Sequence, residues 1–170
     1  SSALVVNILE GLVRIGVFLV YIYSFSFIRD IRRVFEYHGA EHKVIFTYEK
    51  GEPLTVENAE KNSRLHPRCG TNFLLIVMVV SILVFSLLGK QTLLWRIISR
   101  IILIPVVAGI SYELIRLASK YSNSKIAKII TAPGLALQYL TTREPSQDQI
   151  EVAIEAVKSI LALEGVPYVG

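Results

Sequence analysis

Hydrophobic residues form three long runs along the chain, and polar segments separate these runs. The first run covers about residues 3–28, the second covers 73–88 and the third covers 93–117. A helix needs roughly 20 mostly apolar residues to cross a bilayer. The pattern therefore predicts a mainly α, polytopic membrane protein with about three spans.

The polar segment between the first two runs predicts a small cytoplasmic α+β insertion over residues 29–72. Residues 29–42 continue the helical pattern, whereas Lys43–Glu49, with its β-branched and aromatic residues, favours a short strand. A turn follows, and Thr55 is placed to cap a short helix over 56–60.

After the third run, the pattern predicts two further elements. Residues 123–140 are apolar but short for a span, and Pro133-Gly134 is expected to break them, which favours an interfacial or re-entrant segment. Ser146 and Gln149 have the spacing of a capping box that starts an amphipathic helix over 146–163. The predicted apolar face of this helix carries Ile150, Ile154, Val157 and Leu161.

Composition supports a membrane protein and excludes several other classes. The chain has 170 residues and is 52% hydrophobic, with a mean hydropathy of +0.51 that is high for a soluble domain. Its charged fraction of 19% and its one cysteine exclude a disordered chain and a disulfide-stapled scaffold. Because the chain begins with Ser rather than Met, we expect an N-terminal part of the full protein to be missing.

The formal charge of +4 predicts orientation rather than nucleic-acid binding. Basic residues concentrate in 29–72 and after residue 115, whereas the loop between the second and third runs holds only Lys90. The positive-inside rule then places 29–72 and the C-terminal region in the cytoplasm of a multi-pass inner-membrane protein. The expected partner is the lipid bilayer, with a homo-oligomer or another membrane protein as a candidate and no nucleic acid.

The three histidines and the single cysteine all lie within two short motifs. His38 and His42 belong to a motif of sequence HGAEH, and His66 and Cys69 belong to one of sequence HPRCG. Residues four apart share a helix face, so His38 and His42 can hold one ion, and imidazoles with a thiolate suit zinc. The sequence therefore predicts a site for zinc or another divalent transition metal, with His38, His42, His66 and Cys69 as ligands.

The ligand number decides what such a metal does. Four protein ligands would make a closed structural site, whereas three would leave a position for an activated water. In the open case Glu41 or Glu57 is the candidate base, and Arg68 is placed to stabilise an oxyanion. Glu57 is also a candidate carboxylate ligand, and the arrangement of Glu41 between the histidines matches the motif H-x-x-E-H of inverzincins.

Three alternatives to a metal-dependent hydrolase remain open. The first is a non-enzymatic membrane protein with a structural zinc site. The second is a channel or transporter that uses Glu10, Arg14 and Glu113, which interrupt the apolar runs. The third is a thiol–imidazole pair of Cys69 and His66, which leaves the pairing of the other two histidines unexplained.

Several stretches resemble the YqhQ family of bacterial membrane proteins, also called domain of unknown function 1385. The resemblance is carried by residues 38–43, 55–58 and 66–73 and covers roughly 25–160. Other matching stretches are 111–114, 132–135, 137–138, 140–145 and 149–153. The resemblance implies a membrane location and a metal-dependent enzyme of unsettled activity. It also implies a Gly-rich segment ahead of the first span, which this chain does not include.

Overall fold

The computed structural model describes residues 2–89, 91–121 and 124–168, and these residues form seven helices without a strand. The helices are α1 (Ser2–Phe25), α2 (Arg29–Glu49), α3 (Val56–Glu60), α4 (Gly70–Ser86), α5 (Leu93–Lys120), α6 (Lys125–Thr141) and α7 (Gln147–Leu163). The mainly α class predicted from the sequence is confirmed.

The chain divides into two compact units that each combine distant segments. Unit 1 contains the residues up to Tyr21 together with Pro67–Leu137, and unit 2 contains Ile22–His66 together with the residues from Gln138 onward. Unit 1 therefore holds most of the apolar helices, whereas unit 2 holds the three histidines.

The core of unit 2 forms where α7 packs against α2. Ile150 and Ile154 of α7 are buried together with Ala40 and Val44 of α2. These pairs are four residues apart, so each lies on one helix face. The predicted capping box is present at the start of α7, where the backbone N–H of Ser146 donates to Gln149 Oε1 at 2.9 Å. The predicted amphipathic helix is thus confirmed.

The predicted strand Lys43–Glu49 is wrong, because these residues form the last two turns of α2. Local β propensity favoured a strand, but helical spacing buries Val44 beneath Ile150 and turns Lys43 and Thr47 inward as well. The Thr47 hydroxyl donates back to the Lys43 carbonyl at 2.9 Å. Tertiary packing therefore outweighs the local preference, and in the residues described the expected α+β insertion contains helices and connections but no strand.

The connection after α2 follows the sequence prediction. Gly51 adopts a positive φ of 68°, the left-handed conformation that glycine tolerates best. The Thr55 side chain then accepts a hydrogen bond from the Asn58 backbone N–H at 3.3 Å and caps α3. The predicted cap and short helix are confirmed.

Two helices that lie mainly in unit 1 are long and apolar enough to cross a membrane. They are Val5–Phe25 of α1 and Leu93–Lys120 of α5, and only 6% of the most apolar window of each is buried. The second predicted span, 73–88, falls mainly in α4, which has 17 residues and is shorter than the roughly 20 required. Ile76 and Val80 of α4 instead pack with Val107 of α5.

The predicted interfacial segment 123–140 corresponds to α6, with residue 123 outside the described residues. The expected break at Pro133-Gly134 does not occur, because the helix continues through Pro133 to Thr141. Gly134 lets the Asn72 side chain of α4 approach the helix backbone, since a methyl group there would collide with that amide. The Asn72 amide also donates to the Pro67 carbonyl at 2.7 Å.

Candidate metal centre

The three histidines lie together in unit 2. His38 and His42 are one turn apart on α2, with ring centroids separated by 4.4 Å and a ring nitrogen of each within 4.8 Å of the other. His66, in the connection after α3, brings its ring centroid to 5.7 Å from that of His42. The helix spacing and the return of the chain after α3 thus form one cluster of imidazoles.

Backbone carbonyls orient both imidazoles of α2. The Nδ1 atom of His38 lies 2.9 Å from the Thr141 carbonyl oxygen, and that of His42 lies 2.5 Å from the Arg64 carbonyl oxygen. A carbonyl only accepts hydrogen bonds, so Nδ1 is the protonated nitrogen in each neutral ring and Nε2 carries the lone pair. This arrangement is typical of metal-binding histidines, whose second nitrogen is anchored by an acceptor.

The backbone of His66 is held by a buried glutamine. Gln138 is fully buried; its Oε1 accepts from the His66 N–H and its Nε2 donates to the His66 carbonyl, both at 2.7 Å. The His66 ring also lies near a carboxylate, because its Nε2 is 3.4 Å from Glu49 Oε2. Gln138 therefore positions the third imidazole, and Glu49 supplies negative charge beside it.

Gly39 allows the segment after α6 to lie close to α2. A methyl group at position 39 would collide with the Arg143 carbonyl oxygen, and the Arg143 N–H donates to the Phe35 carbonyl at 2.8 Å. The segment after α6 thus lies directly against the backbone of α2. The glycine within the first histidine motif is required for this close approach, although it lowers helix propensity.

A buried lysine and an arginine bind the loops around the histidines. Lys43 Nζ donates to the Asn62 carbonyl at 2.9 Å and pairs with Glu144 at 3.1 Å. Arg64 donates to the Thr142 carbonyl at 2.7 Å and pairs with the same Glu144 at 3.4 Å. One carboxylate therefore links α2, the His66 connection and the segment after α6.

Cys69 and Arg68 belong to unit 1, at the start of α4. Cys69 is a free, buried cysteine that caps α4, and its Sγ accepts from the Thr71 N–H at 3.4 Å. Arg68 is exposed and lines a groove of unit 1 that Cys69 and Tyr112 also line.

The two predicted base candidates lie on the surface of unit 2. Glu41 is exposed on α2, and Glu57 is exposed on α3 with its carboxylate 3.3 Å from Lys61 Nζ. Neither Glu49 nor Gln138 was singled out as a site residue from the sequence. Glu49 lies seven residues after His42, two turns along the same helix face, so a helical assignment of 43–49 would have identified it.

Together, the fold and the site define an all-helical protein with a cluster of three histidines, two of them buried, and two helices that could span a membrane. The chain belongs to the family described as protein of unknown function DUF1385, whose model matches residues 1–163. It is 47% identical over 156 residues to the "Uncharacterized protein YqhQ" of Bacillus subtilis (strain 168), covering 92% of this chain. The resemblance predicted from the sequence is confirmed.

The chain spans about half the length of that relative, since the match covers 49% of it. No solved structure matches the chain.

Proposed function

We propose that this protein is an integral membrane protein that binds a divalent transition metal, zinc in the first instance, and uses it for hydrolase-like chemistry. The observation that carries the proposal is the histidine pair of α2, whose Nδ1 atoms are both anchored on backbone carbonyls. This anchoring directs a lone pair to each Nε2, the form of imidazole that binds a metal.

The ligand set that we propose is His38, His42 and either His66 or Cys69. His66 qualifies because its ring lies beside His42 within unit 2. Cys69 qualifies because it follows His66 by three residues in the sequence and thiolates bind zinc strongly. Bound zinc would lower the pKa of a coordinated water to about 7. We propose Glu41 or Glu57 as proton acceptor and Arg68 as oxyanion partner.

A structural zinc site is the second candidate, and burial favours it. His42 is 7% exposed, His66 is 4% exposed and Cys69 is 9% exposed. If all four ligands bound at once, no position would remain for water and the metal would only lock the loop. The transporter alternative is less well supported, because the Glu113 side chain is 54% exposed and pairs with Arg116 on its own helix.

Metal analysis of the intact, detergent-purified protein tests the site. We expect one metal ion per chain in the wild type, lost in His38→Ala and His42→Ala and retained in Glu41→Gln. Glu52→Gln is the control for loss of a surface carboxylate. A metal-free wild-type protein, or full occupancy in both histidine variants, would overturn the proposal.

Cobalt(II) substitution separates the two candidate functions. A thiolate ligand produces an intense charge-transfer band, so its loss in Cys69→Ser would assign the cysteine to the metal. Added azide would change the cobalt spectrum only if a coordination position is open. A spectrum that azide leaves unchanged would favour the structural site over the hydrolase.

Membrane insertion needs its own test, because it rests on length and apolarity. We propose that α1 and α5 are transmembrane, since about 1.5 Å per residue makes helices of this length long enough to cross a bilayer. Extraction of membranes with alkaline carbonate should leave the protein in the pellet. Release into the supernatant would refute insertion without bearing on the metal.

A further inference from the structure

Unit 1 contains a polar pocket that the histidine cluster does not involve. Its charged lining comes from Glu10 and Arg14 of α1 and from Arg96 and Arg100 of α5. Asn7, Ser81, Gln91 and Ser99 add uncharged polar groups to the same pocket. Four charged side chains are thus collected between helices that are otherwise strongly apolar.

The pocket carries an excess of positive charge. Three arginines against one glutamate leave a formal charge of +2, and the glutamate is already engaged, since Glu10 Oε2 lies 3.5 Å from Arg14. Within the described part of the chain, no carboxylate lies within ion-pair distance of Arg96 or Arg100. The Arg100 guanidinium instead stands 5.6 Å from the centre of the Phe85 ring.

The helix geometry increases the attraction for an anion. α5 begins at Leu93, so Arg96 lies in its first turn, and Arg100 lies one turn further along on the same side. The N-terminal end of a helix carries partial positive charge from its unpaired backbone N–H groups. Arg96 and Arg100 therefore bring two guanidinium groups to the same pocket, close to this positive helix end.

The surroundings of the pocket favour an amphipathic ligand over a soluble anion. The neighbouring Leu93, Leu94 and Trp95 are 73%, 67% and 63% exposed. Tryptophan next to arginine at the end of an apolar helix is typical of the boundary between headgroups and acyl chains. A ligand with a phosphate head and hydrocarbon tails matches both the charged pocket and the exposed apolar start of α5.

We propose that this pocket binds the headgroup of an anionic phospholipid, whose phosphate is held by Arg96 and Arg100. The inference rests on the proposed membrane insertion of α1 and α5 and is independent of the metal. The Glu10–Arg14 pair would form the α1 side of the pocket, with its own charges balanced.

Lipid preference of the intact protein tests the assignment. We would measure thermal stability and lipid retention by native mass spectrometry in mixed micelles containing phosphatidylglycerol or phosphatidylcholine. We expect a preference for phosphatidylglycerol that falls about 10-fold or more in Arg96→Gln/Arg100→Gln, because loss of one charge-assisted hydrogen bond to the bound phosphate already costs about 10-fold.

The matched control is Arg116→Gln/Lys120→Gln, which removes two positive charges from the same helix, outside the pocket. The control should keep the wild-type preference. If both double variants lost the phosphatidylglycerol preference equally, the attraction would depend on total charge and the pocket assignment would be overturned. A wild-type protein without a phosphatidylglycerol preference would also overturn it. Displacement of phosphatidylglycerol by millimolar inorganic phosphate would replace the lipid with a soluble anion and overturn the lipid assignment.

The carbonate extraction described above distinguishes two kinds of failure. If the wild type is released from membranes, the proposed insertion is refuted and the lipid inference falls with it. If the wild type stays in the membrane without a phosphatidylglycerol preference, only the lipid inference is refuted.

Discussion

At the scale of single residues, the candidate metal centre depends on which nitrogen of each imidazole carries the proton. The carbonyls of Thr141 and Arg64 determine this for His38 and His42, because both accept from Nδ1. The Arg143 carbonyl, two residues after Thr141, lies close to the backbone of α2 because position 39 lacks a side chain. A glycine with no functional group of its own therefore allows the close packing beside the histidine pair.

We predict that Gly39→Ala lowers the free energy of unfolding by about 1–3 kcal/mol, the usual cost of overpacking. The new methyl group would meet a backbone carbonyl, which cannot rotate away. This cost exceeds the gain of about 1 kcal/mol from better helix propensity. Thermal unfolding of the purified protein measures the change.

Gly109→Ala provides the control for this prediction, because position 109 is also helical but has open space where the methyl group would be placed. We expect that substitution to be neutral or slightly stabilising. Equal behaviour of the two variants would contradict the proposed close approach at Gly39.

At the scale of secondary-structure elements, the pairing of α2 with α7 supports the histidine cluster. The two helices share a core in which Ile150 is 1% exposed and Val44 is fully buried. The same packing keeps Lys43–Glu49 helical, and so it places Glu49 on the face of α2 that carries His42.

Truncation of the buried face of α7 should be far more costly than truncation of its exposed face. We predict that Ile150→Ala reduces stability by about 2–5 kcal/mol through lost burial and a cavity. Ile160→Ala makes the same change on the same helix, but Ile160 is 56% exposed. This substitution should cost less than about 0.5 kcal/mol of stability. Denaturant unfolding of both variants compares them, and similar losses would refute the proposed core.

At the scale of the whole molecule, α1 and α5 have long apolar surfaces that the rest of the described chain leaves almost entirely exposed. Only 6% of the most apolar part of each helix is buried within the protein. Exposed apolar area of this extent is unfavourable in water, and it marks a surface that lipid or another protein covers. This is the physical basis of the proposed membrane insertion.

The charge distribution predicts the orientation of the protein in the membrane. In a Cys69→Ser background, we would introduce Lys61→Cys in the basic segment and Thr92→Cys in the loop before α5, both at exposed positions. A membrane-impermeant maleimide should label position 92 in intact cells and position 61 only after permeabilisation. The reverse pattern would contradict the positive-inside assignment.

The sequence by itself determined those features that depend on spacing within one segment. The apolar face and capping box of α7, the cap of α3 and the shared face of His38 and His42 all follow from separations of three or four residues. Such separations are set by helix geometry alone. The sequence alone also shows that all three histidines and the one cysteine lie in two short motifs.

The tertiary structure decided the features that depend on residues far apart in the chain. His38 meets a carbonyl 103 positions away, and His66 is held by Gln138 across 72 positions. Glu49 lies on the His42 face because α2 is helical to its end. Gly39 matters for packing because the segment after α6 lies against α2. Packing between distant segments outweighed the local β propensity of Lys43–Glu49. The sequence pattern of one segment cannot predict this packing, because the packing depends on residues elsewhere in the chain.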